Sequence, residues 1–200
     1  MQREQWDQRY SNPGLIYGEE PNRFLVEAAH HLPHGPILSL GEGEGRNALY
    51  LAGLGFDLLA VDQSSVGLVK AVQRAESSGL TLQTQVVDLK YFPIEPRSWA
   101  GILSIFCHLP AELRRDVHAR VVAGLRPGGV FILEAYTPQQ LGRGTGGPSD
   151  RSMLVSAFDL ESELVGLEFL HCAELEREVI EGTHHTGMAH VVQLIARKPL

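Results

Sequence analysis

Two hundred residues are enough for one domain with a single large core and too few for two such domains. The formal net charge is −7 and the lysines are not clustered, which argues against nucleic acid or an anionic membrane surface as a partner. No apolar run reaches membrane-spanning length and the first ten residues lack the apolar core of a signal peptide, so we expect a cytoplasmic protein. Cys107 and Cys172 are too few for a disulfide framework or a cysteine-rich metal site, and we expect no metal.

The first 35 residues precede the first predicted strand and form an aromatic arm. Trp6, Tyr10, Tyr17 and Phe24 give this segment more aromatic surface than a solvated tail would keep, while prolines and glycines break it into turns. We therefore expect the arm, with a helix over residues 22–31, to cover an edge of the sheet.

The central feature of the sequence is a strand, a glycine-rich turn and a helix between residues 37 and 54. The apolar run at 37–40 predicts a buried strand, and the segment at 46–54 has helical spacing. Glycines at 41, 43 and 45 would allow a ligand to touch the main chain. Glu42 and Glu44 lie inside this turn and would repel a phosphate, so the pattern favours a cationic ligand.

An acidic residue follows the next predicted strand, which covers residues 56–61. Asp62 lies about twenty positions after Gly41, where a βαβ nucleotide site places the acid that accepts from the ribose hydroxyls. The acids in the turn and Asp62 together fit an adenosyl sulfonium compound.

The rest of the chain predicts alternating helices and strands and then two long strands. Asp88, Cys107 and His108 directly follow predicted strands, at the end where open α/β sheets bind ligands. The predicted elements are a helix from Ser64 or Ser65 to about Gly79, strands at 82–87 and 100–106, a helix at 110–123, a strand at 130–135, a loop at 137–152, a helix near 159–165, and strands at 168–179 and 189–197 joined by a turn at 181–186.

Five short motifs occur in a characteristic order. They are GEGEGRNALYLA at 41–52, VDQS at 61–64, VVDL at 86–89, LRPGG at 125–129 and ARKP at 196–199. With this set the chain resembles the class I S-adenosylmethionine-dependent methyltransferases, and most of all the branch with the tellurite-resistance and thiopurine-type enzymes. It departs from that pattern at Glu42, where many relatives have cysteine.

The resemblance implies the fold and its organisation. We expect an α/β protein with a Rossmann-like, doubly wound sheet of seven strands, mostly parallel, with an antiparallel C-terminal hairpin. Residues 1–200 would form one domain with an arm or lid at 1–35, a cofactor-binding core at 36–136, a loop at 137–152, and a helix and hairpin at 153–200. As a lid, Tyr10, Tyr17 and Asn22 would fold over the cofactor; the interpretation of the arm as a packing element stays open beside it.

The resemblance also implies S-adenosylmethionine as the cofactor and assigns roles to the residues of the motifs. The backbone of Gly41 and Gly43 would hold the methionine portion. Asp62 would bind the ribose hydroxyls, and Asp88 with Leu89 the adenine. Glu42 or Glu44 would favour the positive sulfur. The predicted cofactor-binding residues are Gly41, Glu42, Gly43, Glu44, Asn47, Asp62, Gln63, Asp88, Leu89, Phe106 and Tyr17.

The acceptor side offers His108, His185 and Arg143 as candidate catalytic residues. Direct transfer of a methyl group requires aligned reactants and no covalent protein nucleophile, and the sequence contains no GxSxG or HExxH motif. We expect a small-molecule acceptor, such as a thiol or an oxyanion of tellurium or selenium, which would need cations more than a base. The oligomeric state would be a monomer or a homodimer.

Two other functions remain open at this point. A nicotinamide-dependent oxidoreductase would use the same βαβ unit, but Arg46 stands where the longer glycine motif needs glycine or alanine. A non-catalytic adenosyl-binding module would keep the cofactor site and lack a usable acceptor pocket.

Overall fold

The computed structural model describes residues 3–182 and 185–200, which form one seven-stranded mixed sheet and its covering helices. The strands are β1 Pro36–Leu40, β2 Asp57–Asp62, β3 Gln83–Val86, β4 Trp99–Ile105, β5 Leu125–Tyr136, β6 Glu168–Glu181 and β7 His185–Arg197. The helices are α1 Arg3–Tyr10, α2 Arg23–Ala28, α3 Arg46–Gly53, α4 Ser65–Ser77, α5 Ala111–Gly124 and α6 Ala157–Glu163, with short 3₁₀ turns at Ala29–His31, Pro138–Gln140 and Arg151–Met153.

The strand order is β3-β2-β1-β4-β5-β7-β6. Strands β1 to β5 are parallel to one another, and β7 runs antiparallel between β5 and β6. The prediction of a mostly parallel sheet with an antiparallel C-terminal hairpin is therefore confirmed. The order reverses between β1 and β4, and the carboxyl ends of these strands flank the crevice where open α/β sheets bind ligands.

The core lies on both faces of the sheet, because successive side chains of a strand point to opposite sides. Ile37 packs in a cluster with Leu51 of α3, whereas its neighbour Leu38 packs in a second cluster with Val121 of α5. A sheet covered on both faces explains the nearly continuous apolar runs of β1 and β4.

The N-terminal arm contains a helix, α1, that the sequence did not predict. The rings of Trp6 and Tyr10 stack with their centroids 5.5 Å apart, and Asp7 accepts a hydrogen bond from Ser64 at 2.6 Å. Ser64 also caps α4 by accepting from the amide of Gly67, as predicted. The start of α4 therefore anchors the arm.

Two segments differ from the prediction. Strands β6 and β7 pair as far as Glu181 opposite His185, so the turn predicted over 181–186 is too long, and residues 183 and 184 in it lie outside the described ranges. The loop at 137–152 contains two 3₁₀ turns, and Gln140 fixes it by donating to Thr145 and accepting from the amide of His190. None of the helices in the described ranges combines the length and the apolar character needed to cross a membrane.

Candidate functional site

A cleft of about 1000 Å³ opens at the carboxyl ends of β1, β2, β3 and β4. This volume is at the upper end of the range for ligand pockets, which leaves room for two reactants. Gly43 and Arg143 are the two predicted site residues that do not line it. The predicted residues that line it are Tyr17, Gly41, Glu42, Glu44, Asn47, Asp62, Gln63, Asp88, Leu89, Phe106, His108 and His185.

Gly41 turns the chain at the floor of the cleft. Its φ is +63°, and a Cβ atom there would lie 2.7 Å from the sulfur of Cys107. Only glycine fits this conformation and this contact without strain, so the main chain is bare at this point. Cys107 is only partly exposed, and desolvation of its thiol raises the pKa to about 12, so the thiol is neutral at pH 7.

Glu42 caps the helix that follows the turn. The residue at the start of α3, Gly45, has no side chain to cap it. Instead one carboxylate oxygen of Glu42 accepts from the amides of Asn47 and Ala48 at 3.1 and 2.9 Å, and the other accepts from the hydroxyl of Ser39. Burial raises the pKa of Glu42, and these hydrogen bonds oppose that shift in part.

Glu44 fastens the N-terminal arm to the glycine turn. Its carboxylate accepts from the amide of Ile16 at 2.8 Å and from the ammonium group of Lys70 at 2.9 Å. Lys70 also donates to the carbonyls of Asn12 and Gly14. Glu44, which the sequence analysis assigned to a cationic ligand, is therefore paired with Lys70 of the protein itself.

Asp62 lies beside the turn and organises it. One carboxylate oxygen accepts from the amide of Gly43 at 2.9 Å, and the other accepts from the amide of Ser64 at 2.8 Å. Burial raises the pKa of Asp62, and backbone hydrogen bonds from Ser64, Gly43 and Gln63 oppose the shift. A carboxylate has about four acceptor positions, so acceptor capacity remains for ligand hydroxyls.

Gly43 requires a correction, because its backbone does not form part of the open wall. Its amide is used by Asp62, and the Tyr10 ring packs so closely that a Cβ atom at Gly43 would lie 2.4 Å from the Tyr10 hydroxyl oxygen. Tyr10 also lines the cleft and is almost fully buried. The Tyr10 ring thus occupies the space beside Gly43 where the sequence analysis placed the methionine portion of the cofactor.

Asp88 lies at the exposed end of the cleft, after β3. One of its oxygens accepts from the amide of Lys90 at 2.8 Å, which forms a common turn after a strand. Its neighbour Leu89 is buried, and the backbone oxygen of Leu89 accepts from Arg120. Gln63 lines the cleft between the ends of β2 and α4.

Aromatic rings line the opposite end of the cleft. Phe106 adopts a φ of +51°, an uncommon conformation for a non-glycine residue that is typical of functional sites. Its ring centroid lies 4.7 Å from that of Tyr136 and 5.0 Å from that of His185. The Tyr17 ring lies 4.7 Å from His185, and the Tyr17 hydroxyl accepts from Arg9 at 2.9 Å.

His108 stacks on Tyr136 with ring centroids 5.3 Å apart and an angle of 13° between planes. Part of the ring faces the cleft, but both ring nitrogens are buried and make no hydrogen bond of normal geometry among the described residues. Burial lowers the pKa of His108 to about 4, with an opposing effect from the Met153 backbone and a smaller lowering from Arg114. His108 is therefore neutral at pH 7 and holds one acceptor and one donor.

A buried network of charges behind the cleft was not predicted. Glu134 receives two hydrogen bonds from Arg177, at 2.8 and 2.6 Å, and one from Asn22 at 2.5 Å. Glu181 joins Arg177 at 2.9 Å and Arg46 at 2.5 Å. The sequence signal was a glutamate, Glu134, inside an otherwise apolar strand.

Asn22 requires a correction to the lid interpretation. It is fully buried, caps α2 and donates to Glu134 and Glu181, so it does not lie over the cleft. Its backbone amide donates to Asn47 at 2.9 Å, which joins the arm to α3.

Arg143 also requires a correction. Its guanidinium group donates to Glu176 at 2.5 Å and to the carbonyl of Gln139, outside the cleft lining. The predicted acceptor-side cation is therefore neutralised on the surface. Within the described ranges, no group of three or more His, Cys, Asp or Glu side chains is placed to hold a metal ion.

Comparisons with known proteins agree with this geometry. The model of the "Methyltransferase domain" family matches residues 37–129. Bacillus subtilis YodH, an uncharacterized methyltransferase, is 30% identical over 56% of this chain and 47% of its own length. The 2-heptyl-1-hydroxyquinolin-4(1H)-one methyltransferase of Mycobacteroides abscessus is 29% identical over 65% of this chain and 59% of its own length. The chain thus spans about half the length of these curated relatives.

A solved structure extends the likeness to almost the whole chain. TehB from Haemophilus influenzae superposes with a TM-score of 0.74 at 21% identity and covers 98% of this chain and 66% of that chain. By sequence, TehB of Haemophilus influenzae, named as a probable S-adenosyl-L-methionine-dependent methyltransferase, is 31% identical over 39% of this chain and 26% of its own length. The family match and these relatives imply S-adenosylmethionine as the cofactor. Residues 37–129 are therefore similar to a methyltransferase domain, and the chain as a whole has the fold of TehB.

Proposed function

We propose that this protein transfers the methyl group of S-adenosylmethionine directly to a small-molecule nucleophile bound in the same cleft. The observation that carries the proposal is the bare main chain at Gly41, next to the remaining acceptor capacity of the Asp62 carboxylate, at the crossover of a methyltransferase-type sheet.

The residues of the cleft fit the cofactor. Gly41 gives the backbone access that its methionine portion needs, and Asp62 offers acceptors for the ribose hydroxyls. Asp88 and Leu89 lie at the end of β3, where we place the adenine. We place Gln63 beside the ribose, and Phe106 and Tyr17 at the boundary with the acceptor.

The environment of the Arg46 guanidinium group suggests a further contact with the cofactor, which the sequence analysis did not predict. Its Nη2 atom binds Glu181, whereas its Nη1 atom is buried without a hydrogen-bond partner among the described residues. Arg46 lines the cleft, so Nη1 is available for the carboxylate of the methionine portion. The contacts of Glu42, Glu44 and Asn47 indicate that these three residues shape the site rather than touch the ligand.

When bound, S-adenosylmethionine supplies a methyl group on a positively charged sulfur. The chain positions the two reactants and excludes water, which is worth roughly 7–11 kcal/mol in favourable intramolecular cases. His108 and His185 are the candidate catalytic residues, because both line the end of the cleft beyond Phe106. A non-catalytic binding module is less well supported, since the cleft continues into this second half.

The methyl acceptor, the location in the cell and the oligomeric state are also part of the proposal. One relative is named for a hydroxyquinolinone acceptor and another is uncharacterized, so the sequence-based candidates, a thiol or a tellurium or selenium oxyanion, are tested directly below. The net charge of −7 supports a small molecule rather than nucleic acid or a membrane surface. We propose a cytoplasmic monomer or homodimer, which light scattering would distinguish.

Calorimetric titration with S-adenosylhomocysteine tests the cofactor site. We expect the wild type to bind it and NAD to give no heat. Asp62→Ala should weaken binding by at least about tenfold, because two hydrogen bonds to a charged acceptor are lost. Asp57→Ala, an exposed aspartate at the start of the same strand, is the matched control and should bind as the wild type does. Unchanged binding by a folded Asp62→Ala protein would refute the assignment.

A further inference from the structure

The charges of the cleft are confined to one half. The charged side chains among its described lining residues are Arg9, Glu42, Glu44, Arg46, Asp62 and Asp88, which come from the arm, the glycine turn and the ends of β2 and β3. We call the other half the acceptor side; it consists of the lining residues between Phe106 and Leu113, those between Gln140 and Met153, and His185. In the described lining of the acceptor side there is no Asp, Glu, Lys or Arg side chain.

Of the arginines on or next to these segments, Arg143 and Arg114 are engaged elsewhere, and Arg151 is exposed and outside the cleft lining. Arg143 pairs with Glu176 on the surface. Arg114 is buried against Glu163 at 2.9 Å and donates to the carbonyls of Ser152 and Leu154. An anion on the acceptor side would therefore lose its hydration without gaining an ionic partner from the protein, and its countercharge would be the sulfonium of the cofactor alone.

The walls of the acceptor side are flat and aromatic. The Phe106 and His185 rings meet at 71°, and His108 lies flat against Tyr136. Leu109, Leu113 and Met153 add apolar surface. Such walls favour a planar aromatic ligand, because ring pairs gain energy beyond the area they bury.

Gln140 and His108, two polar side chains on the acceptor side, differ in how their hydrogen-bonding groups are used. The amide of Gln140 is used by Thr145, Gly146 and His190, so it is satisfied within the protein. Neither ring nitrogen of His108 makes a hydrogen bond of normal geometry among the described residues; both nitrogens are buried, and the Met153 backbone interacts with the ring. A neutral imidazole with an open nitrogen suits a ligand that carries an O–H donor.

We propose that the methyl acceptor is an uncharged, flat aromatic compound that reacts through a hydroxyl group, and that His108 receives the proton of this hydroxyl. The inference rests on the proposed function and names the acceptor of the same site. It replaces the sequence-based choice of an oxyanion. Phenolic hydroxyls have pKa values of roughly 10, so they are neutral at pH 7. A neutral group suits a lining that has no charged side chain.

The step balances with the groups present. An electron pair of the hydroxyl oxygen forms the bond to the methyl carbon while the carbon–sulfur bond breaks and leaves its pair on the sulfur. The sulfur becomes neutral, and the O–H proton moves to the open nitrogen of His108 and then to water. The imidazole is a weak base in this site, but the oxygen becomes strongly acidic as it gains the methyl group.

A panel of acceptors at pH 7 tests the inference on the wild-type protein. The panel is 2-naphthol as the neutral aromatic alcohol, 2-naphthalenethiol as an ionised compound of the same shape, 2-mercaptoethanol, sodium selenite and sodium tellurite. We expect kcat/KM for 2-naphthol to exceed that of every other compound by at least about tenfold, because the lining offers the ionised compounds no countercharge and 2-mercaptoethanol has no aromatic ring to pack against the walls. Faster turnover of the arylthiolate or an oxyanion, or no turnover of 2-naphthol, would overturn the inference.

Binding of S-adenosylhomocysteine, measured in parallel, separates this inference from the proposed function. Binding with the wrong acceptor preference overturns the acceptor assignment alone. Absence of binding overturns the proposed function and the inference with it.

Two variants probe the reasoning independently. Leu141 lines the acceptor side and is 38% exposed, so Leu141→Arg places a cation there without burying it fully. We expect it to raise the ratio of arylthiolate to naphthol turnover at least about fivefold. Leu54→Arg, at an exposed leucine after α3, is the control and should leave the ratio unchanged. An unchanged ratio in a folded Leu141→Arg protein would contradict the argument from charge.

His108→Phe keeps the ring and removes its nitrogens. We expect kcat for 2-naphthol to fall roughly 10²-fold, the usual worth of a positioned base, with S-adenosylhomocysteine affinity within about twofold of the wild type. Full activity in this variant would overturn the role of His108.

Discussion

The ion pair between Arg177 and Glu134 gives the most direct test of the buried network. Glu134 is fully buried, and Arg177 supplies two of its hydrogen bonds while Asn22 and Gln193 supply neutral ones. Burial by itself would lower the pKa of Arg177, but Glu134 and Glu181 raise it, so the guanidinium stays charged. Arg177→Met therefore leaves a buried carboxylate without its countercharge.

The expected loss follows from these contacts. Two hydrogen bonds to a charged group are worth about 3–6 kcal/mol, and breaking a buried ion pair costs about 3–5 kcal/mol, so we expect the free energy of unfolding to fall by about 3–5 kcal/mol. Urea denaturation followed by circular dichroism measures it. The double variant Arg177→Met/Glu134→Gln should recover most of the loss, because the unpaired charge is removed.

An exposed pair serves as the control for this experiment. Arg197 binds Glu168 at 2.7 Å with both side chains about half exposed, and Arg197→Met should cost less than about 1 kcal/mol. If Arg177→Met costs no more than this control, or the double variant is no better than the single one, Glu134 is not held by its countercharge and the reasoning is wrong.

Three further predictions concern the glycine turn and His108. Gly41→Ala should weaken S-adenosylhomocysteine binding in calorimetry, and it should destabilise the fold by more than the roughly 1–2 kcal/mol of backbone strain alone, because its Cβ atom would lie 2.7 Å from Cys107. Gly55→Ala is the control, because Gly55 has a φ of +88° and a Cβ atom there would have nothing within 4 Å, so this variant measures the backbone strain alone. An equal loss of stability in both variants would exclude a contribution from the Cys107 contact. Glu42→Ala should lower the free energy of unfolding by about 1–2 kcal/mol, since the start of α3 loses its cap; no change in urea midpoint would refute that role. The neutral form of His108 accepts the proton, and its pKa of about 4 lies below the ordinary 6.5, so kcat should be constant from pH 8 down to about pH 5 and fall only near pH 4; a fall centred near 6.5 would contradict the burial of its nitrogens.

Local patterns predicted most of the scaffold. The apolar runs at β1, β2, β4 and β5, the cap at Ser64 and the long C-terminal strands are properties of short segments, and the structure confirms them. The positions of Gly41 and Asp62 in the cleft follow from the same rules, because the ends of parallel strands meet at one edge of a sheet.

The exact partners of the charged residues could not be predicted in this way. Glu44 and Lys70 are 26 positions apart, Arg46 and Glu181 are 135 apart, and Asn22 and Glu134 are 112 apart. Such contacts depend on strand order and register, which no local period encodes. Arg143 illustrates the same limit, since its guanidinium reaches Glu176 on β6 instead of the cleft.

The sequence by itself therefore determined the class of fold, the turn on which a ligand can lie and the acid beside it, because backbone freedom and apolar periodicity are written in neighbouring residues. Only the tertiary structure decided which carboxylates can still accept hydrogen bonds from a ligand and which are already paired within the protein. It also decided that Tyr10 covers Gly43 and that one half of the cleft carries no charged side chain in its described lining. These outcomes depend on groups brought together from distant segments, and their energies depend on the burial that only the folded chain provides.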